Sequence, residues 1–280
     1  MAEPSPPSGL LRAAAPPPAL VRRIYHWLLA FGVQPVRAWN ALRSLPATVR
    51  EYAAYRRRGA DAAWPVSFNF PSLADRREES GVARGAYFHQ DLLVARKVFE
   101  RNPRRHLDVG SSVQGFVAHV ASFRAIEVMD IRPLTTSILQ IRFVRHDLML
   151  PPPDPLRGAF DSVSCLHALE HFGLGRYGDP VDPDGWRKGL AHLVDLVAPG
   201  GMLYLSVPIG PQRVEFNSHR VFAAGTVPDE IANRTMLADF HVVDDRGELH
   251  PGVALTPELR VANAGCWMGC GIYEFRKTEG

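Results

Sequence analysis

From residue 85 onward, short apolar runs alternate with longer amphipathic stretches. His106–Val109, Ala125–Met129, Ile141–Val144, Phe160–Cys165 and Met202–Val207 read as buried strands. Between them Gly85–Asn102, Val113–Ser122, Pro133–Gln140 and Trp186–Leu196 carry helical periodicity. Such alternation predicts an α/β domain whose sheet has helices on both faces. Thr226–Asp239 is predicted as a further helix, and Phe240–Asp244 and Gly271–Phe275 as a terminal, hairpin-like pair of strands. Val197-Ala-Pro-Gly-Gly201 is expected to end a helix in a glycine turn before the fifth strand.

The first 84 residues follow different rules. Residues 1–18 are rich in Pro, Ala and Ser without periodicity and are expected to be disordered. Residues 19–60 form a basic helical extension. Leu20, Ile24, Trp27, Leu28 and Phe31 recur at helical spacing, and Val36, Trp39, Leu42, Leu45 and Val49 continue the pattern after Pro35. Residues 61–84 read as an irregular connector, and residues 85–280 as the α/β domain.

Charge sharpens this division. Residues 1–60 hold nine Arg against Glu3 and Glu51, a balance of +7, whereas the remaining 220 residues carry −4 within an overall +3. The main domain is therefore not a nucleic-acid binder. Helices of the extension would pack on the domain or a protein partner, adsorb to an anionic membrane surface, or belong to an organelle-targeting peptide. Their apolar runs are too short to span a bilayer. The expected location is cytoplasmic, with peripheral membrane attachment as the alternative. Cys165, Cys266 and Cys270 are too few and too odd in number for a disulfide framework, and read as buried thiols.

The candidate chemistry begins after the first strand. Gly110 permits a tight turn and close approach of a ligand, and Ser111 and Ser112 can cap the following helix. Asp130 ends the second strand, where an acid suits a ribose diol. Strand, glycine turn, helix, strand and acid together read as a nucleoside-binding half-fold. Ser112 breaks the G-x-G-x-x-G pattern, which disfavours a bound pyrophosphate. Asp147, after the third strand, is placed either to bond an adenine amino group or to close its own turn. Ile131 and Leu148 adjoin these two acids as further cofactor-binding candidates.

His167-x-x-Glu170-His171 follows the fourth strand directly. On one helix, His167 and His171 would share a face, as two metal ligands do. A protease would carry this motif on a long helix, which the preceding strand and Gly173, Gly175 and Gly178 exclude. Two versions stay open. In one, His167 or His171 is a catalytic base. In the other, His167, Glu170, His171 and His219 hold a divalent metal. Asn217, His219 and Arg220 follow the fifth strand, at the sheet edge where ligands bind in such folds, and are candidate substrate groups.

The order of elements, together with Leu107-Asp108-Val109-Gly110, Asp130, Asp147 and Ala198-Pro-Gly-Gly-Met-Leu203, resembles the class I S-adenosylmethionine-dependent methyltransferases over residues 85–277. Longer strings resemble the DUF268 family. They are Tyr87-Phe-His-Gln-Asp91, Gly115–Phe123, Ser164–Asp179 and Ser206–His219. The resemblance implies a Rossmann-like sheet and S-adenosyl-L-methionine as cofactor, held by Asp108, Gly110, Ser111, Ser112, Asp130, Ile131, Asp147 and Leu148. It further implies a small hydroxylated acceptor, such as a sugar in surface-polysaccharide biosynthesis. The alternative is a non-catalytic, methyltransferase-like scaffold subunit docking on a membrane-associated assembly.

Overall fold

The computed structural model describes residues 10, 19–58, 64–78, 81 and 83–279. Apart from Leu10, the expected disordered tail of residues 1–18 lies outside them. The chain divides into two compact units, Pro16–Val82 and one built mainly from Ala83–Gly280. The first holds helices α1 (Ala19–Ala30) and α2 (Pro35–Arg57), the latter with Pro35 in its first turn. Pro suits that position, where no intrahelical N–H bond is lost.

The second unit contains helices α3 (Ala86–Arg101), α4 (Ala118–Ala121), α5 (Gly185–Leu196), α6 (Thr226–Ile231) and α7 (Pro257–Val261). Its strands are β1 (His106–Val109), β2 (Ile126–Asp130), β3 (Ile141–Arg145), β4 (Phe160–Leu166), β5 (Val197–Ile209), β6 (Arg213–Glu215), β7 (His219–Val221), β8 (Thr235–Val243), β9 (Leu249–His250) and β10 (Gly269–Lys277). Eight of them form one sheet in the order β3-β2-β1-β4-β5-β10-β8-β9, and β6 and β7 form a separate hairpin. Strands β1 to β5 pair in parallel, and β10 runs antiparallel between β5 and β8. Five parallel strands with an antiparallel strand inserted beside the fifth is the Rossmann-like class I methyltransferase sheet.

Strand periodicity sorts the core into two layers. Leu203, Leu205, Val207 and Ile209 of β5 pack with Leu190, Leu193 and Val194 of α5 and with Leu259 of α7. Met202 and Tyr204, one residue out of phase, join Val94 and Val98 of α3 and Phe116 and Val120 on the opposite face. The second face also takes the polar members of β1 and β4, namely His106, Asp108, Ser162 and Ser164, all buried.

Several predicted elements change form. Residues 133–140 form no helix; Thr135, Thr136 and Ser137 are poor helix formers, since a helix restricts the threonine rotamers and their hydroxyls compete for the backbone bonds it needs. The helix after β1 is interrupted at Gly115 (φ −102°, ψ −110°), giving a π-type turn over Val113–Val117 and one α turn in α4. The predicted helix over 226–239 stops at Ile231, because residues from Thr235 are drawn into β8 alongside β10. Strand β5 begins at Val197 rather than Met202, and the glycine turn survives as a bulge: Phe160 pairs with Val197 and Ser162 with Met202. The strands β8 and β10 are antiparallel neighbours, as expected, although β9 and α7 intervene in the chain.

Candidate functional site

The carboxyl ends of β1, β2 and β4 converge on the Gly110 turn. Gly110 has φ +74°, and a Cβ there would sit 2.8 Å from Cβ of Ala168, so a side chain is excluded on both counts. Beneath the turn runs a buried polar chain. Ser162 Oγ lies 2.7 Å from His106 Nδ1, and His106 Nε2 lies 3.2 Å from Ser164 Oγ. Ser164 Oγ donates to Asp108 Oδ1 at 2.6 Å, and Ser111 donates both its Oγ–H (2.6 Å) and its N–H (3.1 Å) to the same carboxylate. Ser111 Oγ in turn accepts from the Leu166 N–H at 3.1 Å, tying the turn to β4.

Burial drives the His106 pKa down to about 3 and pushes the Asp108 pKa up to about 7, the serine bonds only partly opposing the latter. Neutral His106 then accepts at Nδ1 from Ser162 and donates from Nε2 to Ser164, leaving Ser164 free to donate to Asp108. Asp108 and Ser111, both expected to touch the cofactor, instead spend their polar atoms inside the protein and shape the turn. Ser112 is exposed and begins the π-type turn with extended backbone, so it does not crowd the cleft.

A cleft opens beyond the turn. Gly110, Asp130, Ile131, Asp147 and Leu148 line it, together with Arg132 and Tyr177. The carboxylate of Asp130 is gripped by Arg132, Nε to Oδ1 at 3.0 Å and Nη2 to Oδ2 at 2.6 Å. The Arg132 guanidinium also stacks 4.3 Å from the Tyr177 ring centroid. Asp147 Oδ1 accepts from the Met149 N–H at 2.9 Å, so one oxygen closes the local turn while the residue still faces the cleft. Both expected roles of Asp147 are thus open to it at once.

The His167-x-x-Glu170-His171 segment is not one helix. His167 has φ +49°, Ala168 is non-helical, and only a 3₁₀ turn over Leu169–His171 follows. The two histidines therefore do not share a helical face. His167 Nδ1 instead lies 2.8 Å from Glu170 Oε1, while His167 Nε2 and Glu170 Oε2 are buried without a hydrogen-bond partner. The fully buried Glu170 has its pKa held below the usual carboxylate value by the neighbouring imidazoles, against its burial, and Cys270 and Glu170 together raise that of His167. The His167 N–H donates to Ser206 Oγ at 3.0 Å, and Ser206 Oγ donates to Gln90 Oε1 at 2.6 Å. Tyr87 covers the ring of His167 at a centroid distance of 5.0 Å.

His171 lines the cleft and donates from Nδ1 to the Ser218 carbonyl at 2.6 Å, joining it to the β6–β7 hairpin. Arg176 Nη1 donates to the same carbonyl at 2.9 Å. On the hairpin, Asn217 is exposed, and His219 Nε2 is buried without a partner. Arg220 is not available to a substrate. It is 6 % exposed, and its guanidinium donates to the carbonyls of Phe172 (2.5 Å), Pro183 (3.3 Å) and Glu170 (3.4 Å). It clamps the 170–183 loop that forms the cleft wall.

The metal version of the site fails on geometry. Among the described residues, His167, Glu170, His171 and His219 do not bring three ligand atoms within 4.8 Å of one another; Asp239, His241 and Glu274 do. In that second group His241 Nδ1 accepts from the Gly252 N–H at 2.9 Å, so Nε2 carries the proton and donates to Glu274 at 3.1 Å. Lys97 and Arg101 already pair with Glu274 at 2.7 and 3.2 Å. The cluster is a closed ion-pair network. The three cysteines are buried free thiols.

Sequence reasoning missed Arg132, Arg176 and Tyr177. Tyr177 lies among the glycines that follow His171, and its stacking with Arg132 bridges 45 residues and left no periodic signal.

Residues 126–245 match the family model described as "Caenorhabditis protein of unknown function, DUF268". No curated protein matches the sequence. Among solved structures, the chain is similar to the 1,6-didemethyltoxoflavin-N1-methyltransferase of Burkholderia thailandensis with bound 1,6-didemethyltoxoflavin and S-adenosylhomocysteine. Identity is 17 %, coverage 95 % of this chain and 94 % of that one, and the TM-score 0.48. It is also similar to the N-methyltransferase NodS of Bradyrhizobium japonicum WM9 in complex with S-adenosyl-L-homocysteine, at 15 % identity over 69 % of this chain and 88 % of that one, TM-score 0.45. The DUF268 match runs from the start of β2 to just past the end of β8, less than half of the 280 residues.

Proposed function

We propose that the chain is an S-adenosylmethionine-dependent methyltransferase acting on the oxygen of a small hydroxylated acceptor. One juxtaposition carries the reading. The nucleoside-type cleft at Gly110, Asp130 and Asp147 is lined by Ala168 and His171, the chain neighbours of a buried His167–Glu170 pair whose imidazole Nε2 makes no hydrogen bond. The residues fit the cofactor. The side-chain-free turn at Gly110 admits close backbone approach, and Asp130 stands where a ribose diol is bound in this sheet type. Asp147 keeps one oxygen for an adenine amino group.

When bound, S-adenosylmethionine supplies a methyl group made electrophilic by a sulfonium. The chain's part is to align an acceptor oxygen and accept its proton. His167 Nε2 is the acceptor of that proton, and Glu170 Oε1 holds the opposite N–H and stabilises the imidazolium. Sugar hydroxyls, as in surface polysaccharides, are weak acids and need such a base.

Calorimetric titration of the full chain with S-adenosylmethionine and S-adenosylhomocysteine tests the cofactor, and labelled methyl transfer to a panel of sugars tests the reaction. Asp130→Ala is expected to weaken binding at least about tenfold, the loss of a bidentate charged contact. His167→Ala is expected to keep binding and lose transfer. Absence of binding to either nucleoside overturns the reading.

A further inference from the structure

Helix α1 presents Leu20, Ile24, Trp27 and Leu28 on one face, continued by Phe31 just beyond its last turn. These side chains are not packed away: Leu20 is 69 % exposed, Trp27 61 % and Phe31 77 %, and the Trp27 and Phe31 rings stack on each other at 6.0 Å. Trp39, Leu42, Leu45 and Val49 of α2 are likewise exposed. Apolar exposure on this scale marks a surface made to be covered.

The charge of the same segment says by what. Residues 19–58 contain eight arginines, no lysine and one acid, Glu51, a balance of +7 in a chain of +3. On α1, Arg22 and Arg23 lie off the apolar face, and Arg43 of α2 sits 5.7 Å from the Trp39 ring. A second copy of the chain would bring +7 against +7. A nucleic acid would leave the leucine, tryptophan and phenylalanine face in water. An anionic bilayer surface supplies an apolar layer and negative headgroups along the whole of both helices. No described helix is long and apolar enough to cross that bilayer, so the segment would lie along the surface.

We propose that α1 and α2 adsorb to an anionic lipid surface. Trp27 and Phe31 enter the acyl boundary, and the arginines reach back to the headgroups. The inference is independent of the chemistry of the α/β unit.

The test is sedimentation of the full chain with vesicles of phosphatidylcholine alone and of phosphatidylcholine mixed with phosphatidylglycerol. Binding to the mixed vesicles alone, weakened by salt, is expected. Arg23→Gln with Arg37→Gln should cost about fivefold per arginine. Trp27→Ser with Phe31→Ser should cost about tenfold or more. These positions are exposed, and unchanged circular dichroism of the variants verifies that the fold persists. Three results would overturn the proposal. They are no binding to mixed vesicles, binding indifferent to Trp27→Ser/Phe31→Ser, and a concentration-dependent dimer in ultracentrifugation that those substitutions dissolve.

Discussion

Arg132 grips Asp130 through two parallel contacts, at 2.6 and 3.0 Å, and the same guanidinium lies on the ring of Tyr177. The acid expected to receive a ribose diol is therefore already engaged by a cation from its own strand end. A ligand must displace Arg132 or share Asp130 with it.

Arg132→Ala tests this competition. The Arg132 side chain is 47 % exposed, so the pair is worth only a fraction of a kcal/mol to about 1 kcal/mol. Freed of it, Asp130 should bind S-adenosylhomocysteine about two- to fivefold more tightly, with less dependence on salt. Calorimetry at two ionic strengths checks both. Weaker binding would instead make Arg132 a ligand contact.

The buried chain under the glycine turn makes a signed prediction. The Asp108 pKa rises to about 7 on folding, above its unfolded value of about 3.9. The folded state thus holds a proton that the unfolded state has released, and this stability is present at low pH and lost as pH climbs to about 7. His106, lowered to about 3, acts in the opposite sense, adding stability as pH rises toward the ordinary histidine range. Asp108→Asn deletes the first effect alone. Its destabilisation relative to the wild type should be largest near pH 4 and shrink toward pH 8, read from urea midpoints.

Cys270 and Glu170 raise the His167 pKa above the ordinary histidine value, so the imidazole serves as a base only in the fraction that has lost its proton. Nuclear magnetic resonance titration should find His167 changing charge above the ordinary histidine value. Glu170→Gln should move that titration to lower pH. In the proposed reaction the base works unprotonated, so the acid limb of the activity profile should move down with it. An unmoved titration would sever the pair.

Arg220→Lys keeps the charge but loses the forked geometry that reaches the carbonyls of Glu170, Phe172 and Pro183. A cost of about 2 kcal/mol is expected, lowering Tm by about 4–8 °C. Limited proteolysis should open first between residues 173 and 184. A variant of wild-type stability with only weakened acceptor binding would return Arg220 to the substrate.

Local pattern alone determined much of this protein. The strand runs, the glycine turn at Gly110, the acid at Asp130 and the amphipathic, arginine-rich helices of residues 19–58 are read from neighbours in the chain. Strand alternation and helical spacing are local physics. The failures were also local in appearance: residues 133–140 and 232–239 look helical by periodicity, but hydroxyl residues undo the first and pairing with β10 claims the second. Only the tertiary structure decided which polar groups face a ligand. Asp108, Ser111 and Arg220 look like binding residues in one dimension. They turn inward because partners far along the chain, such as Ser164 and the carbonyls of the 170–183 loop, satisfy them when the strands are brought together. Tyr177 reaches Arg132 for the same reason. A hydrogen bond or a ring contact is won by whichever group arrives at the right distance, and sequence separation carries no record of that arrival.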